Sequence, residues 1–440
     1  MTTLGDYIKV QGGYAYKSKD FIEFSKNKVL KIKNVRFGII DYAEPAYVSD
    51  EIAASTKNWK VKEGDVLISM TGSGPNAPQS LVGRVARVWK NEPDAWINQR
   101  VGRIHLLDEN SIHLDFIFYW LSLPQSQDYL VSNSSGSANQ ANISGKIIES
   151  LPCPKVDYQT SKQIADLVRN FDEKVILNSQ TNQTLEQMAQ AIFKSWFVDF
   201  DPVKAKMNGE QPEGMDVATA SLFPEKLVES ELGLIPEGWP VDQVGNHIEL
   251  TKGKSYKSSE LQESTTALVT LKSFKRGGGY RMDGLKEYTG THKPQQVIEA
   301  GDLVMSLTDV TQAAEIVGKP ALVIEAPQYD TLVASLDVAI LRPKTTDAKQ
   351  YFYGLMSTYR FHRYAESFAT GTTVLHLSPK GITTFEFACP SAELVKKYHE
   401  FAAPIFAKIE ANILESQELA KLRDTLLPKL LSGEIELETK

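Results

Sequence analysis

The sequence predicts two copies of an α/β (α+β) domain joined by two long helices that form an antiparallel coiled coil, with pseudo-two-fold symmetry. Three observations support this fold class. The chain has 440 residues, which is enough for two or more domains. Similar segments occur twice in the same order, and each copy is followed by a long helical pattern.

The clearest repeat is the stretch GDVLISMTG at 64–72, which returns as GDLVMSLTD at 301–309. Each is a short run of β-forming residues, opened by Gly-Asp and closed by a turn, as is typical of a core strand. Other segments pair in the same order: GDYIKVQGG with GNHIELTKG, SLVGRVARV with EIVGKPALV, and Cys153-Pro154 with Cys389-Pro390. Small drifts in spacing are what loop insertions produce, so the pattern indicates an internal duplication.

These repeats predict five segments. We expect a first globular domain at 1–158, a central helix at 159–200, a linker at 201–231, a second globular domain at 232–391, and a C-terminal helix at 392–440. The frame segments agree between the copies while the segments between them differ. A common scaffold with divergent loops is expected when two copies recognise different targets.

The two helical segments carry a heptad pattern. Apolar residues recur alternately three and four positions apart through 164–196, and the second copy keeps this phase through 398–430. Asn178 and Asn412 fall on the same seam position, where a buried asparagine fixes register by requiring a polar partner. Two regular surface helices are the alternative interpretation.

Composition excludes several classes of protein. The apolar and charged fractions are 42% and 23%, as in a soluble globular protein, and the formal net charge is −7. We expect a cytoplasmic chain with no membrane segment and with both cysteines reduced. Neither globular part carries the strong basic surplus of a protein that grips DNA by its backbone alone, so a DNA-binding role would need help with the phosphates.

The sequence indicates no catalytic centre. It lacks the Asn/Asp-Pro-Pro-aromatic tetrad of amino-methyltransferases and a phosphate-binding loop. Pro75 and Pro78 stand where a helix would have to start in the glycine motif TGSGPNA at 71–77, so this motif is not a dinucleotide-binding turn. The seven histidines and two cysteines do not have metal-ligand spacing. We therefore expect a protein that is not an enzyme and that binds no metal or cofactor of its own.

Antiparallel pairing of two such helices would hold the two copies apart at a fixed distance. The predicted helix from Lys162 to Phe197 would be about 54 Å long at about 1.5 Å per residue. DNA also has two-fold symmetry, so two such copies could read two half-sites separated by a fixed gap.

Four stretches carry a resemblance to a known family: TLEQMAQAIFKSWFVDFDPV at 184–203, LGLIPEGW at 232–239, KLRDTLLPKLLSGEI at 421–435, and the repeated Gly-Asp strands. The chain resembles the specificity subunit of type I restriction-modification systems over essentially its whole length. This resemblance implies two target recognition domains that read a bipartite double-stranded DNA site. It also implies docking of methyltransferase (modification) and restriction (translocase and nuclease) subunits, with S-adenosylmethionine bound by the methyltransferase subunit and not by this chain.

Base recognition favours Arg or Lys for guanine, Asn or Gln for adenine, and Ser or Thr as general partners. Polar loops at matching places in both domains supply such residues, although a surface role remains the alternative for each one. Lys146 and Lys380 recur in the repeat, which favours phosphate contact over base selection. The candidates are Lys33, Arg36, Thr71, Ser73, Asn139, Gln140, Lys146, Lys272, Lys275, Arg276, Arg281, Thr308, Thr372, Thr373, His376 and Lys380.

The end of the first long helix holds more aromatic residues than one helical seam can bury. Aromatic anchors are typical of protein interfaces, so we expect subunit docking there, with packing against a recognition domain as the alternative. The candidate docking residues are Phe193, Trp196, Phe197, Val198 and Phe200.

Two other functions remain open from the sequence. The chain could be a coiled-coil scaffold that joins protein partners without binding DNA. It could also serve as the specificity partner of a fused nuclease-methyltransferase in place of separate subunits.

Overall fold

The computed structural model describes residues 2–74, 81–137, 140–310 and 313–437. They divide into two compact units. Unit 1 comprises Met1–Leu177 and Glu415–Lys440, and unit 2 comprises Asn178–Leu414. Both units mix helices and sheets, as the sequence predicts.

In unit 1 the strands are β1 (Thr2–Thr3), β2 (Ile8–Gly12), β3 (Phe21–Ile22), β4 (Asn27–Leu30), β5 (Ala46–Val48), β6 (Val66–Ser69), β7 (Thr71–Gly72), β8 (Val85–Arg87), β9 (Ala95–Ile97), β10 (Val101–Leu106), β11 (Ser135–Ser137), β12 (Gln140–Asn142) and β13 (Pro152–Cys153). The shorter helices are α1 (Asp50–Ser55), α2 (Leu114–Ser122), α3 (Pro124–Ser132) and α4 (Gly145–Glu149). The long helix α5 (Tyr158–Phe197) follows.

The central sheet of unit 1 has the order β2-β10-β6-β8, with antiparallel neighbours. β6 comes from the first repeated stretch, and all four of its residues are buried. Burial on both faces explains why this strand is a continuous apolar run and not an alternating one. A second sheet, β3-β5-β4-β9, and a third, β11-β12-β7, complete the domain together with the β1-β13 pair.

In unit 2 the remaining strands are β14 (Leu227–Ser230), β15 (Gly233–Pro236), β16 (Val241–Gln243), β17 (Ile248–Lys252), β18 (Thr266–Val269), β19 (Lys286–Glu287), β20 (Val297–Ile298), β21 (Leu303–Ser306), β22 (Thr308–Asp309), β23 (Pro320–Leu322), β24 (Thr331–Ala334), β25 (Val338–Pro343), β26 (Ala369–Thr370), β27 (Leu375–Leu377) and β28 (Glu386–Ala388). The helices are α6 (Asp201–Met207), α7 (Val217–Ser221), α8 (Lys349–Ser357), α9 (Tyr359–Ser367), α10 (Lys380–Thr383) and α11 (Ala392–Ser432), the last of which continues into unit 1.

The central sheet of unit 2 has the order β17-β25-β21-β23, again with antiparallel neighbours. β21 comes from the second repeated stretch and is buried like β6. The two repeated stretches therefore occupy the same position in two sheets with the same strand order.

Within unit 1, the segments of α5 and α11 run antiparallel. The Arg423 guanidinium lies 2.7 Å from an Asp172 oxygen, and the Lys174 amine lies 3.2 Å from a Glu415 oxygen. The hydroxyl of Tyr119 on α2 donates to the other Asp172 oxygen at 2.7 Å. Asp172, which lies on α5, thus connects α2 to both long helices.

Within unit 2, the segments of α5 and α11 are also antiparallel, and they meet at three asparagines. The side-chain amide of Asn178 donates to the Asn412 carbonyl at 3.3 Å, and that of Asn412 donates to Asn182 Oδ1 at 2.8 Å. Asn182 in turn donates to the Ile409 carbonyl at 3.2 Å. The buried Asn178 and Asn412 therefore have the polar partners that their seam position requires.

The segment 201–231, predicted as a linker, is folded in unit 2. It contains α6, α7 and β14, and it places the buried side chains of Val203 and Phe223 in the main core of that unit. The Asp216 side chain caps α7 by accepting from the Thr219 amide at 2.9 Å. The segment is therefore part of a packed domain.

Candidate nucleic-acid interface

A surface depression of about 410 Å³ in unit 1 brings together residues that are distant in the sequence. It collects five of the predicted DNA-contacting residues and one arginine that the sequence analysis missed. The depression is lined by Ile32, Lys33, Arg36, Thr71, Gly72, Ser73, Arg84 and Gln140.

Three elements position these side chains. Lys33 lies in the short 3₁₀ turn that follows β4, and Thr71 begins the edge strand β7. β7 pairs with β12 through Thr71 opposite Asn142, so that Gln140 lies at the exposed start of β12. The Thr71 hydroxyl donates to Asn142 Oδ1 at 2.8 Å and is buried, so this residue already serves the strand pair.

The exposed cations at the depression have weak intramolecular partners. Lys33 lies 2.9 Å from Glu44, and Arg36 lies 3.3 Å from Asp41, with the two basic side chains 52% and 45% exposed. Ion pairs of this exposure contribute at most about 1 kcal/mol, so a phosphate or a base edge can replace the carboxylate at little cost.

Arg84 lines the same depression and is only 2% exposed. Its Nη2 donates to the Ile32 carbonyl at 2.8 Å, which fixes the turn that carries Lys33. Burial, together with the positive charge of Arg36, lowers the pKa of Arg84. The repeat offered a signal for this residue, since Lys319 occupies the matching place in EIVGKPALV.

In unit 2 the predicted residues fall into two groups. Thr308 on β22 faces His376 on β27, and the exposed Thr372 and Thr373 follow β26 in the adjoining turn. Thr308 is buried, and its hydroxyl donates to Asp337 Oδ1 at 3.0 Å. His376 is exposed on the middle strand of this small sheet, which makes it the most accessible of the group on regular structure.

The second group follows β18. Lys272 lies in a 3₁₀ turn, Arg276 lies 3.3 Å from Glu315, and Arg281 lies 2.5 Å from Asp283. Lys275 instead lines an apolar cavity of about 220 Å³ beside Tyr280. Its side chain is exposed, as are those of Lys272 and Arg276 in the same loop.

The remaining predicted residues lie elsewhere. Lys146 and Lys380 are exposed at the starts of α4 and α10, and neither is among the lining residues of the depression. The matching placement suits the shared role predicted for them. Asn139 lies outside the described residues.

The aromatic end of α5 packs differently from the prediction. Phe193 and Phe197 are only 2% and 8% exposed and belong to the core of unit 2, against Tyr351 and Tyr398. The structure therefore corrects the docking assignment for these two residues, because neither side chain is available to a partner. Trp196 is half-buried against Phe223, at 5.4 Å between ring centroids.

Val198 and Phe200 remain accessible. Val198 is 42% exposed, and Phe200 adopts a left-handed backbone with φ of 57° before packing on Trp239. Both line an apolar groove of about 280 Å³ that also includes the exposed Leu234. This groove is the part of the predicted docking region that stays open.

The sequence predicts no metal site, and the structure brings together one aspartate, one histidine and one cysteine, side chains of types that can ligate a metal. The ligand atoms of Asp242, His247 and Cys389 lie within 4.8 Å of one another in unit 2. Spacing along the sequence missed this cluster because its members come from opposite ends of the domain.

Comparisons with known proteins agree with the resemblance that the sequence motifs indicated. A sequence model of the type I restriction modification DNA specificity domain matches residues 1–187. The chain is 25% identical over 421 residues to the type I restriction enzyme HindI specificity subunit of Haemophilus influenzae, covering 85% of this chain and 87% of the relative. It is 23% identical over 429 residues to the MjaVIII specificity subunit of Methanocaldococcus jannaschii, covering 95% and 92%.

A solved structure has the same fold. The crystal structure of the type I restriction-modification S subunit from M. genitalium aligns with a TM-score of 0.54 at 15% identity, covering 100% of this chain and 96% of that one. Over the described residues, the structure contains no helix that is long and apolar enough to cross a membrane.

Proposed function

We propose that this chain, a relative of the type I restriction-modification specificity subunits, is the non-catalytic subunit that selects the DNA sequence on which a methyltransferase and restriction complex acts. The observation that carries this proposal is the depression in unit 1. There Lys33 and Arg36, from the segment after β4, and Gln140, from the start of β12, line the same depression as the buried Arg84. This combination offers donors for guanine, an amide for adenine and positive charge for phosphate.

Each recognition domain reads one half of a bipartite site. The reading surface of unit 1 is the depression, and that of unit 2 includes His376, Thr372 and Arg281. The same strand order in the two central sheets supports this division, because one scaffold then carries two different sets of loops. Lys146 and Lys380 contact phosphates in both halves.

The two long helices set the gap between the half-sites. α5 spans Tyr158–Phe197 and α11 spans Ala392–Ser432, so each is about 60 Å long at about 1.5 Å per residue. Each of the ten seam positions predicted in each helix is buried or half-buried. Pairing of this length gives a coiled coil that is stiff enough to act as a spacer.

The methyltransferase subunit docks at the apolar groove that contains Val198, Phe200 and Leu234. Apolar side chains of this exposure beside a polar rim are typical of subunit interfaces. S-adenosylmethionine and the flipped adenine belong to that partner, and restriction subunits join the same complex.

Sequencing of methylated bases in the genome, with and without this gene, tests the proposal. We expect one bipartite motif with methylated adenines to disappear when the gene is deleted and to return when it is restored. An unchanged set of methylated motifs in cells that express the methyltransferase subunit would instead favour a scaffold that does not bind DNA.

A variant separates DNA reading from docking. Val198→Asp with Leu234→Asp places two charges in the groove and leaves the depression of unit 1 intact. We expect co-purification with the methyltransferase subunit to be lost while the chain stays folded. Retained co-purification would move the docking surface elsewhere without affecting the assignment of the reading surface.

A further inference from the structure

Three side chains of types that ligate metals meet beside the β16–β28 strand pair of unit 2. Asp242 lies on β16, and His247 follows the 3₁₀ turn after that strand. Cys389 comes directly after β28, which pairs antiparallel with β16 through Val241 opposite Ala388. The backbone amide of Cys389 also donates to the Pro240 carbonyl at 2.8 Å, so the strand pair fixes where the thiol lies.

The distances between the ligand atoms fit one small metal ion. His247 Nε2 lies 2.8 Å from Asp242 Oδ2 and 3.8 Å from Cys389 Sγ, and all three ligand atoms lie within 4.8 Å of one another. Around tetrahedral zinc, with bonds of about 2.0–2.3 Å, neighbouring ligand atoms are about 3.3–3.7 Å apart. Opening the Asp242–His247 contact by about 0.5 Å would bring it into this range.

We propose that Asp242, His247 and Cys389 bind one Zn²⁺ ion. One sulfur, one imidazole nitrogen and one carboxylate oxygen form a donor set that suits zinc and does not suit Mg²⁺ or Ca²⁺, which take oxygen ligands. Three protein ligands leave the fourth position to water. The side chains of Asp242 and His247 are each 32% exposed, so the ion has a path from solvent.

The surroundings of the cluster orient its ligands. Asp242 Oδ1 accepts from the Asn246 amide at 2.6 Å and from the Gln243 backbone at 2.7 Å, which leaves Oδ2 directed at His247. The imidazole packs against Phe387, at 5.5 Å between ring centroids. Hydrogen bonds and packing of this kind fix ligand orientation in metal sites.

Zinc here would fasten β16 to β28, the last strand before α11 begins at Ala392. Unit 1 supplies a natural comparison. Its Cys153 matches Cys389 in the repeated Cys-Pro motif but lies opposite Thr2 in the strand pair, and the residues that match Asp242 and His247 are Thr2 and Tyr7. The same strand pair therefore exists in this chain without the ligands.

The full-length chain, freed of metal by dialysis against a chelator, is titrated with ZnCl₂ and analysed for bound zinc after gel filtration. We expect one Zn²⁺ per chain for wild type and for Cys153→Ser, and none for Cys389→Ser or His247→Gln. At zinc concentrations about 100-fold above the Kd, the unfolding midpoint should rise by about 5–10 °C.

Cobalt provides a readout that does not depend on the stability of the variants. In the Cys153→Ser chain, whose only thiol is Cys389, added Co²⁺ should give a thiolate-to-cobalt absorption band, and zinc should remove that band and protect the thiol from alkylation. A folded chain without the band, without bound zinc and with an unprotected thiol would overturn the proposal. None of these measurements requires DNA, so their result is independent of the proposed reading function.

Discussion

Arg36 and Gln140 line the same depression but belong to a loop and a strand end that meet only in the fold. If they read bases, Arg36→Ala with Gln140→Ala should relax recognition in one half of the bipartite motif and leave the other half unchanged. Each lost contact removes about 1–3 kcal/mol of discrimination against a wrong base pair. Sequencing of methylated adenines in cells that carry the variant measures the change.

Lys146→Ala is the matched control for that double variant. Lys146 is exposed on α4 and lies off the depression, so its loss should weaken methylation evenly across all sites without altering the motif. If the double variant instead lowered methylation evenly and kept both half-sites, Arg36 and Gln140 would be phosphate contacts and not base readers.

Glu92 gives unit 1 a pH-dependent stability. Burial raises the pKa of Glu92 to about 7, and the Tyr42 hydroxyl donates to it at 3.1 Å. Between about pH 4.5 and 7 the folded chain keeps a proton that the unfolded chain has lost, so the free energy of unfolding falls as pH rises through that range. Because Glu92 is half-exposed, its contribution to the pH dependence of the free energy of unfolding is limited to about 1 kcal/mol.

Urea denaturation at pH 5 and pH 8 measures this contribution. Glu92→Gln should remove that part of the decrease because the amide does not titrate. Glu109→Gln, at an exposed carboxylate, should keep the wild-type decrease. An identical pH dependence in wild type and Glu92→Gln would contradict the assignment.

At the scale of residues, the sequence indicated which loops carry the candidate DNA-contacting residues but not what each side chain contacts. The polar character of the predicted turns indicated Lys33, Arg36 and Gln140 as candidate DNA-contacting residues, and the fold brings these three residues together. The sequence could not show that the Thr71 hydroxyl already donates a hydrogen bond to the Asn142 side chain on the paired strand. Arg84 was missed because it follows an apolar repeated segment that reads as a core strand.

At the scale of elements, the C-terminal end of α5 serves unit 2 as a core helix. The ring of Phe193 lies where a Cβ on Gly354 would come within 2.4 Å of it, so the glycine of α8 makes room for the aromatic side chain. Phe193→Ala should lower the free energy of unfolding by about 3–5 kcal/mol, through lost burial and the cavity that remains.

The nearby Val198→Ala is the control, because a side chain that is 42% exposed should change stability by no more than about 0.5 kcal/mol. Urea denaturation of the full chain measures both variants. Equal effects of the two substitutions would mean that the aromatic end of α5 is not part of the core.

The heptad pattern predicted positions that are buried or half-buried in both helices, because periodicity is a property of the local sequence. It could not predict what the aromatic end of α5 meets. An excess of aromatic residues is compatible with a partner subunit or with a domain of the same chain. Which of the two the aromatic residues pack against depends on Gly354 and Tyr351. These residues lie far along the sequence, so the local pattern around Phe193 does not reveal them.

At the scale of the whole molecule, the repeated segments predicted two domains, and both central sheets have the same strand order. The sequence did not show that each compact unit takes part of both long helices. Residues 158–177 of α5 belong to unit 1, and the rest of that helix belongs to unit 2. Such a division depends on contacts between residues that are hundreds of positions apart.

The spacer role proposed for the helices leads to a quantitative prediction about the DNA target. Seven residues inserted after Asn182 in α5, and seven inserted before Ile409 in α11, keep the heptad phase and preserve the hydrogen bond between these two residues. The paired helices become longer by about 10 Å, which corresponds to about three base pairs of B-DNA. The methylated motif should therefore keep both half-sites and gain about three unspecified positions between them.

The same seven residues placed between Glu213 and Gly214, in an exposed turn of unit 2, should leave the gap unchanged. A changed half-site with an unchanged gap after the helix insertions would mean that the helices take part in reading bases and do not set the distance.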